Sequence, residues 1–216
     1  MTDIRAVVFD LDGTLCDTIP DIGGSFNRAF AHVGLPTRPV REYGQFVGYG
    51  IRENLHRAAP AGTPEDVEAE ALRFYLADYP EHCADSTVPY PGIRELVSAL
   101  SERGVKLAVV TNKTEATAKR LLDALFPEKP FVLIWGRQEG RALKPSRELG
   151  DAVSEALGVP SENILGVGDG DSDVKWALNS GFQSVAVTWG YRTRDQLTAA
   201  GAKRFVDAPG EILRSI

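Results

Sequence analysis

Five apolar, β-prone runs set the terms on which this chain can fold: "IRAVVF" at 4–9, "VKLAVVT" at 105–111, "FVLIW" at 131–135, "NILGVG" at 163–168 and "SVAVTW" at 184–189. Runs of this kind predict strands buried on both faces, because a half-exposed strand would alternate polar and apolar residues. Between them lie amphipathic segments of helical period at 114–125, 147–157 and 173–180, and "GIRELVSALSER" predicts a further helix before the second run. "KRFVD" near 205 predicts a short edge strand. Strands alternating with helices predict an α/β fold whose parallel sheet is covered by helices on both sides.

Residues 18–87 break that rhythm. "DIGGSFNRAFAHVGL", "IRENLHRAA" and "PEDVEAEALRFYLADY" are all helical in period, with no strand signal between them. They predict a helical insertion after the first strand, so that residues 1–17 and 88–216 form the sheet domain and 18–87 a second unit. Asp17 to Pro20 would lead out, and Pro89 and Pro91 would stiffen the return.

Composition excludes several classes of function. A formal charge of -6 argues against a partner bound by phosphate neutralisation along nucleic acid. No stretch approaches the roughly 20 apolar residues of a membrane helix, and "MTDIRAVVF" does not read as a signal peptide. Cys16 and Cys83 lie far apart in sequence, which predicts reduced thiols and a cytoplasmic setting. His32, His56 and His82 show no ligand spacing.

The reactive residues fall where the strands end. The first run finishes in Asp10 and Asp12, the second in Thr111, Asn112 and Lys113, and the fourth in "GDGDSD", with Lys144 in a loop after the third. A parallel sheet brings all these ends to one edge, where ligands of open α/β sheets bind. Crowded carboxylates repel one another and are costly to desolvate, so they call for a cation or a chemical purpose. Asp10, Asp169 and Asp173 offer hard oxygen ligands suited to Mg2+ rather than zinc. Lys144 supplies a point charge, Thr111 a hydroxyl, and Gly13 permits a tight backbone after Asp12. "GDGDSD" is no EF-hand, lacking the twelve-residue loop and its terminal Glu.

"DLDGTLCD", "VVTNK", "LKPS" and "GDGDSD" resemble, in order, the four motifs of the haloacid dehalogenase-like hydrolases, and the resemblance spans the whole chain. Around "DTIPDIGGSFNRAFAHVGLP", "FVGYGIRENLHRA" and "PYPGIRELV" the chain is most similar to the phosphoglycolate phosphatase subfamily. The resemblance implies a Rossmann-like parallel sheet core with an inserted α-helical cap, and a Mg2+-dependent phosphatase acting on a small phosphorylated metabolite. Asp10 would be the nucleophile, forming an aspartyl-phosphate. Asp12 would protonate the leaving alcohol and then activate water, its carbonyl also binding the metal. Thr111, Asn112 and Lys144 would hold phosphate; Asp10, Asp12, Asp169 and Asp173 would form the metal set. One departure is that position 170, usually Ser or Thr, is Gly, and Asp171 adds an acid.

The resemblance also implies that the cap chooses the substrate. Gly48, Tyr49 and Gly50 correspond to a cap loop facing the site, with Arg52 placed to meet a substrate carboxylate. Asp12 separates the chain from the dehalogenases proper, which lack that acid, and the missing membrane helices separate it from P-type ATPases. A sugar phosphomutase or pyrophosphatase on the same core stays open, as does a non-hydrolytic phospho-receiver module, although a receiver needs neither a cap nor a second acid. Oligomeric state is left open.

Overall fold

In a computed structural model describing residues 3–216, the chain enters through β1 (Ala6–Phe9) and leaves the sheet through β2 (Cys16–Asp17). It passes through α1 (Ile19–His32), α2 (Ile51–Ala58) and α3 (Glu65–His82), then returns by β3 (Val88–Pro89). The remainder alternates: α4 (Ile93–Glu102), β4 (Lys106–Thr114), α5 (Glu115–Leu125), β5 (Leu133–Arg137), α6 (Arg147–Leu157), β6 (Ile164–Gly168), α7 (Asp171–Asn179), β7 (Gln183–Val187), α8 (Arg194–Ala199) and β8 (Phe205–Val206).

Six strands form one sheet in the order β5-β4-β1-β6-β7-β8, every pair parallel. The order reverses at β1, where a doubly wound sheet opens its binding crevice. Register sets the geometry there: Phe9 lies between Val109 of β4 and Val167 of β6. Side chains alternate across the sheet. Val7, Phe9, Leu107 and Val109 face α4 and α5, while Ala6, Val8, Ala108 and Val110 face α6 and α7. The uninterrupted apolar strands thus serve two separate cores.

The cap has its own aromatic core. Phe26 of α1 packs on Tyr43 at 5.0 Å and on Tyr75 of α3 at 4.9 Å between ring centroids. The segments joining cap to core are not plain linkers. β2 and β3 pair antiparallel, Cys16 opposite Pro89 and Asp17 opposite Val88. Pro20 sits in the first turn of α1, where its missing N–H costs nothing. Asp21 braces the crossing by accepting from the Ser86 and Thr87 N–H groups and the Thr87 hydroxyl.

Several element boundaries differ from the sequence pattern. The third strand runs two residues later than "FVLIW", and α7 begins at Asp171 rather than 173. The pattern did not anticipate α8, which is six residues long and starts from a Thr193/Gln196 capping box. Among the described residues, no helix is long and apolar enough to cross a membrane.

Candidate active site

Asp10 leaves β1 with its N–H donating to the Val167 carbonyl at 2.9 Å, which fixes it at the crevice between β4 and β6. Lys144 reaches it from the loop after β5. The ammonium donates to Asp10 Oδ1 at 2.6 Å, to Asp173 Oδ1 at 2.6 Å and to the Val110 carbonyl at 2.8 Å. All three of its protons are engaged, and its side chain is 2% exposed. Burial acts to depress the Lys144 ammonium, but the carboxylates of Asp10 and Asp173 outweigh it and hold it above the ordinary lysine range.

Asp10, Asp169 and Asp173 each place a carboxylate oxygen within 4.8 Å of the others. Burial pushes the Asp10 carboxyl up to about 8, with Lys144 opposing and Asp173 and Asp169 reinforcing the rise. Burial and Asp173 likewise push Asp169 up to about 7, against the hydrogen bonds it accepts. Those bonds come from the Thr14 hydroxyl and the Tyr191 N–H, both at 2.8 Å. The Asp169 side chain has no lateral room: a Cβ on Gly13 would lie 2.3 Å from its Oδ2, and one on Gly190 2.2 Å from its Cβ. Gly13 also has φ +87, so the loop after Asp12 can close only with glycine. Asp173 Oδ2 accepts the Gly170 N–H at 2.8 Å, steadying the start of α7. This three-carboxylate, all-oxygen donor set fits a hard divalent cation.

Asp12 faces a partner that sequence reasoning placed at the strand end but gave no role. Lys113 Nζ donates to its two oxygens at 2.7 and 3.0 Å, and both side chains are largely buried. The position of Lys113 was legible, two residues beyond Thr111 on the same strand, but its pairing with Asp12 was not. Thr111 is buried in the cavity wall, its hydroxyl accepting the Lys113 N–H. Asn112, expected to grip phosphate, is spent on bracing: its amide holds the Lys144 backbone at both N–H and carbonyl and donates to the Gly48 carbonyl. Burial, reinforced by Asp12, pushes the Cys16 thiol up, so it packs beside the acids as a protonated group.

Residues of the helical insertion face these side chains across a partly open cavity of about 70 Å3. Gly48 and Gly50 line it, as do Tyr75 and Tyr79 from α3. Tyr49 instead anchors the loop from outside, donating its hydroxyl to Asp171 Oδ1 at 2.8 Å. Arg192 locks the same seam by donating to the Gly44 and Val47 carbonyls at 2.9 and 2.6 Å. Asp171 is therefore occupied, its second oxygen accepting from Lys175, and it stands apart from the carboxylate cluster. Arg52 does not line the catalytic cavity. It is exposed on α2 and borders a neighbouring groove with Leu72, Thr114 and Arg137. The reason is helical phase: α2 turns Asn54, Leu55 and Ala58 inward, and position 52 falls off that face. Asp17 pairs with Arg41 of the cap at 2.6 Å. Tyr191, Arg192 and Thr14 were missed as site residues.

A six-stranded parallel sheet with strand-end acids, a buried lysine and a helical cap defines a class, and the sequence profile of the haloacid dehalogenase-like hydrolases matches residues 7–187. The chain belongs to that family. It is 34% identical over 200 residues to the phosphoglycolate phosphatase of Chromobacterium violaceum, covering 91% of this chain and 90% of that one. It is 37% identical over 211 residues to the phosphoglycolate phosphatase of Caulobacter vibrioides, covering 94% and 88%. A crystal structure from Lactobacillus delbrueckii subsp. bulgaricus, provisionally assigned the same activity, superposes with a TM-score of 0.92 at 30% identity, covering 99% of this chain and 98% of that one.

Proposed function

We propose that the chain is a Mg2+-dependent phosphatase for small phosphorylated acids, with 2-phosphoglycolate the first candidate, working through an aspartyl-phosphate on Asp10. The observation that carries this reading is Asp10 itself, held by Lys144 at 2.6 Å within a carboxylate cluster at the closed end of the cavity. A bound Mg2+ would be held by Asp10, Asp169, Asp173 and the Asp12 carbonyl, and would supply positive charge against the phosphoryl oxygens.

An Asp10 carboxylate oxygen attacks phosphorus, forming the acyl-phosphate bond as the ester O–P bond breaks. The Asp12 carboxyl gives its proton to the departing alkoxide, and Lys113 orients it. Water then attacks phosphorus, Asp12 takes the water proton, and the bond to Asp10 breaks to release phosphate. Splitting one displacement into two is the gain from covalent catalysis. Lys144 and the Thr111 hydroxyl stabilise charge on the transferred group, and the cap shields it from bulk water. The small cavity favours a compact substrate. Cys16 and Cys83, buried and unbridged, fit a cytoplasmic enzyme.

The test is a phosphate-release screen over phosphorylated metabolites, with Mg2+ and with chelator. Multiple turnovers that need Mg2+ are expected, with 2-phosphoglycolate among the preferred substrates. No turnover on any ester, full turnover in chelator, or a single equivalent of phosphate per chain would overturn it; the last is the behaviour of a receiver module.

A further inference from the structure

The cavity contains one polar group with nothing to bond. Tyr79 of α3 is 4% exposed, and its hydroxyl is buried without any hydrogen-bond partner among the described residues. A buried phenol normally finds a partner, because leaving it unpaired forfeits its hydration with no return. Tyr79 lines the same cavity as Asp10 and Asp12. Its ring lies 4.7 Å from Lys113 Nζ, the ammonium that holds the acid–base residue Asp12. Lys113 lies over the ring face and is itself paired with Asp12, so the unpaired hydroxyl is a free donor on this wall of the cavity.

We propose that Tyr79 is a specificity-determining residue whose hydroxyl donates to the carboxylate of a small phosphorylated acid. The proposal rests on the phosphatase reading and sharpens it, assigning the phosphoryl end to Asp10 and Lys144 and the carboxylate end to Tyr79. The cavity's size points the same way, since a two- or three-carbon acid places its carboxylate carbon only two or three bonds from the ester oxygen. The packing role belongs to the ring, which stacks on Tyr75 at 5.1 Å and which phenylalanine would keep, so the hydroxyl can be tested apart from it.

The test compares 2-phosphoglycolate with ethyl phosphate, a similarly small ester without the carboxylate, in wild type and Tyr79→Phe with Mg2+ present. Losing a hydrogen bond to a charged group should lower kcat/KM for 2-phosphoglycolate about ten- to a hundredfold, mainly through KM. Ethyl phosphate should change by less than about twofold. The thermal midpoint of Tyr79→Phe should equal or exceed that of wild type, because the substitution removes an unpaired buried hydroxyl. Equal losses on both esters, no loss on either, or a lower midpoint would overturn the proposal while the phosphatase reading stands. If wild type cleaves neither ester nor any other in the panel, the phosphatase reading fails and this assignment falls with it.

Discussion

Raised carboxyls at the strand ends make the metal-free protein less stable as pH rises through neutrality. Burial and mutual repulsion lift Asp10 from 3.8 to about 8 and Asp169 from 3.8 to about 7. A carboxyl whose folded-state value is raised favours the folded state while it stays protonated. That stability is fully present below the unfolded value and is lost as pH rises through the folded one. Near pH 6 the folded chain keeps close to one proton on each group and the unfolded chain keeps almost none. Each such proton gives a slope of about -1.4 kcal/mol per pH unit, so two give roughly -2.7. Because the two groups share neighbours, a loss of about 3–4 kcal/mol between pH 5.5 and 7.5 is the working figure, against a typical total of about 5–15.

Urea unfolding in chelator at pH 5.5, 6.5 and 7.5 measures this directly. His56, raised by its hydrogen bond to Glu68, adds the same sign, so the slope is compared with that of Asp10→Asn, which should lose about half of it. Cation binding expels these protons, so saturating Mg2+ should stabilise the protein more at pH 7.5 than at 5.5 and flatten the slope. Stability that is level or rising from pH 5.5 to 7.5 in chelator, or Mg2+ increments equal at both ends, would refute the reasoning.

Asp10→Asn should abolish phosphate release with far-UV circular dichroism unchanged; near-wild-type activity would remove Asp10 as the phosphoryl acceptor. Lys144→Met leaves two buried carboxylates unpaired and should cost about 3–5 kcal/mol in urea unfolding, so a loss below about 1 would contradict the buried network. Gly190→Ala drives a Cβ into Asp169 and should weaken Mg2+ affinity at least about tenfold, read from the midpoint against Mg2+ concentration. Gly210→Ala, with nothing within 4 Å, should leave that affinity unchanged. Asp171→Ala removes the acceptor for Tyr49 and should speed amide exchange over residues 47–54 and raise KM, with Asp171→Asn partly restoring both through its amide oxygen.

What the sequence made legible was local. A parallel strand buried on both faces announces itself as an apolar run, and an acid that ends such a run is conspicuous because nothing apolar would place it there. Asp10 and Asp169 were visible on those grounds, whereas Thr111 and Lys144 were legible only because a parallel sheet brings their strand end and loop to the same edge. What escaped depended on contacts across long stretches of chain. Lys113 meets Asp12 across 101 residues, through the pairing of β1 with β4. Arg192 meets the Gly44 carbonyl across 148 residues, from a loop with no periodicity of its own. β2 and β3 are two residues each, too short to carry an alternating pattern. Arg52 is a different case, because the inward positions of α2 were readable and placed it outside. Asn112 shows the limit of residue type alone, because an amide at a strand end suits phosphate as well as it suits bracing the Lys144 backbone.

The charge balance of the cavity bears on the order in which ligands can enter. With all four carboxyls ionised, Asp10, Asp12, Asp169 and Asp173 would contribute -4 against +2 from Lys113 and Lys144, a balance of -2 that the raised carboxyls of Asp10 and Asp169 offset by holding protons. Both lysines already lie against carboxylates, so neither offers an approaching anion an uncompensated charge. A phosphate monoester is itself close to a dianion at neutral pH. At about 4 Å and an effective dielectric near 20, each unit-charge pair is worth roughly 4 kcal/mol, so ionising these carboxyls without a cation would strongly oppose the ester. A divalent cation held by Asp10, Asp169 and Asp173 would displace those protons and supply the positive charge in their place. On this balance the carboxylate cluster favours a cation, and an ester that followed one in would meet less repulsion. The carboxyls that burial has raised are the ones this order requires, because they hold protons until a cation displaces them.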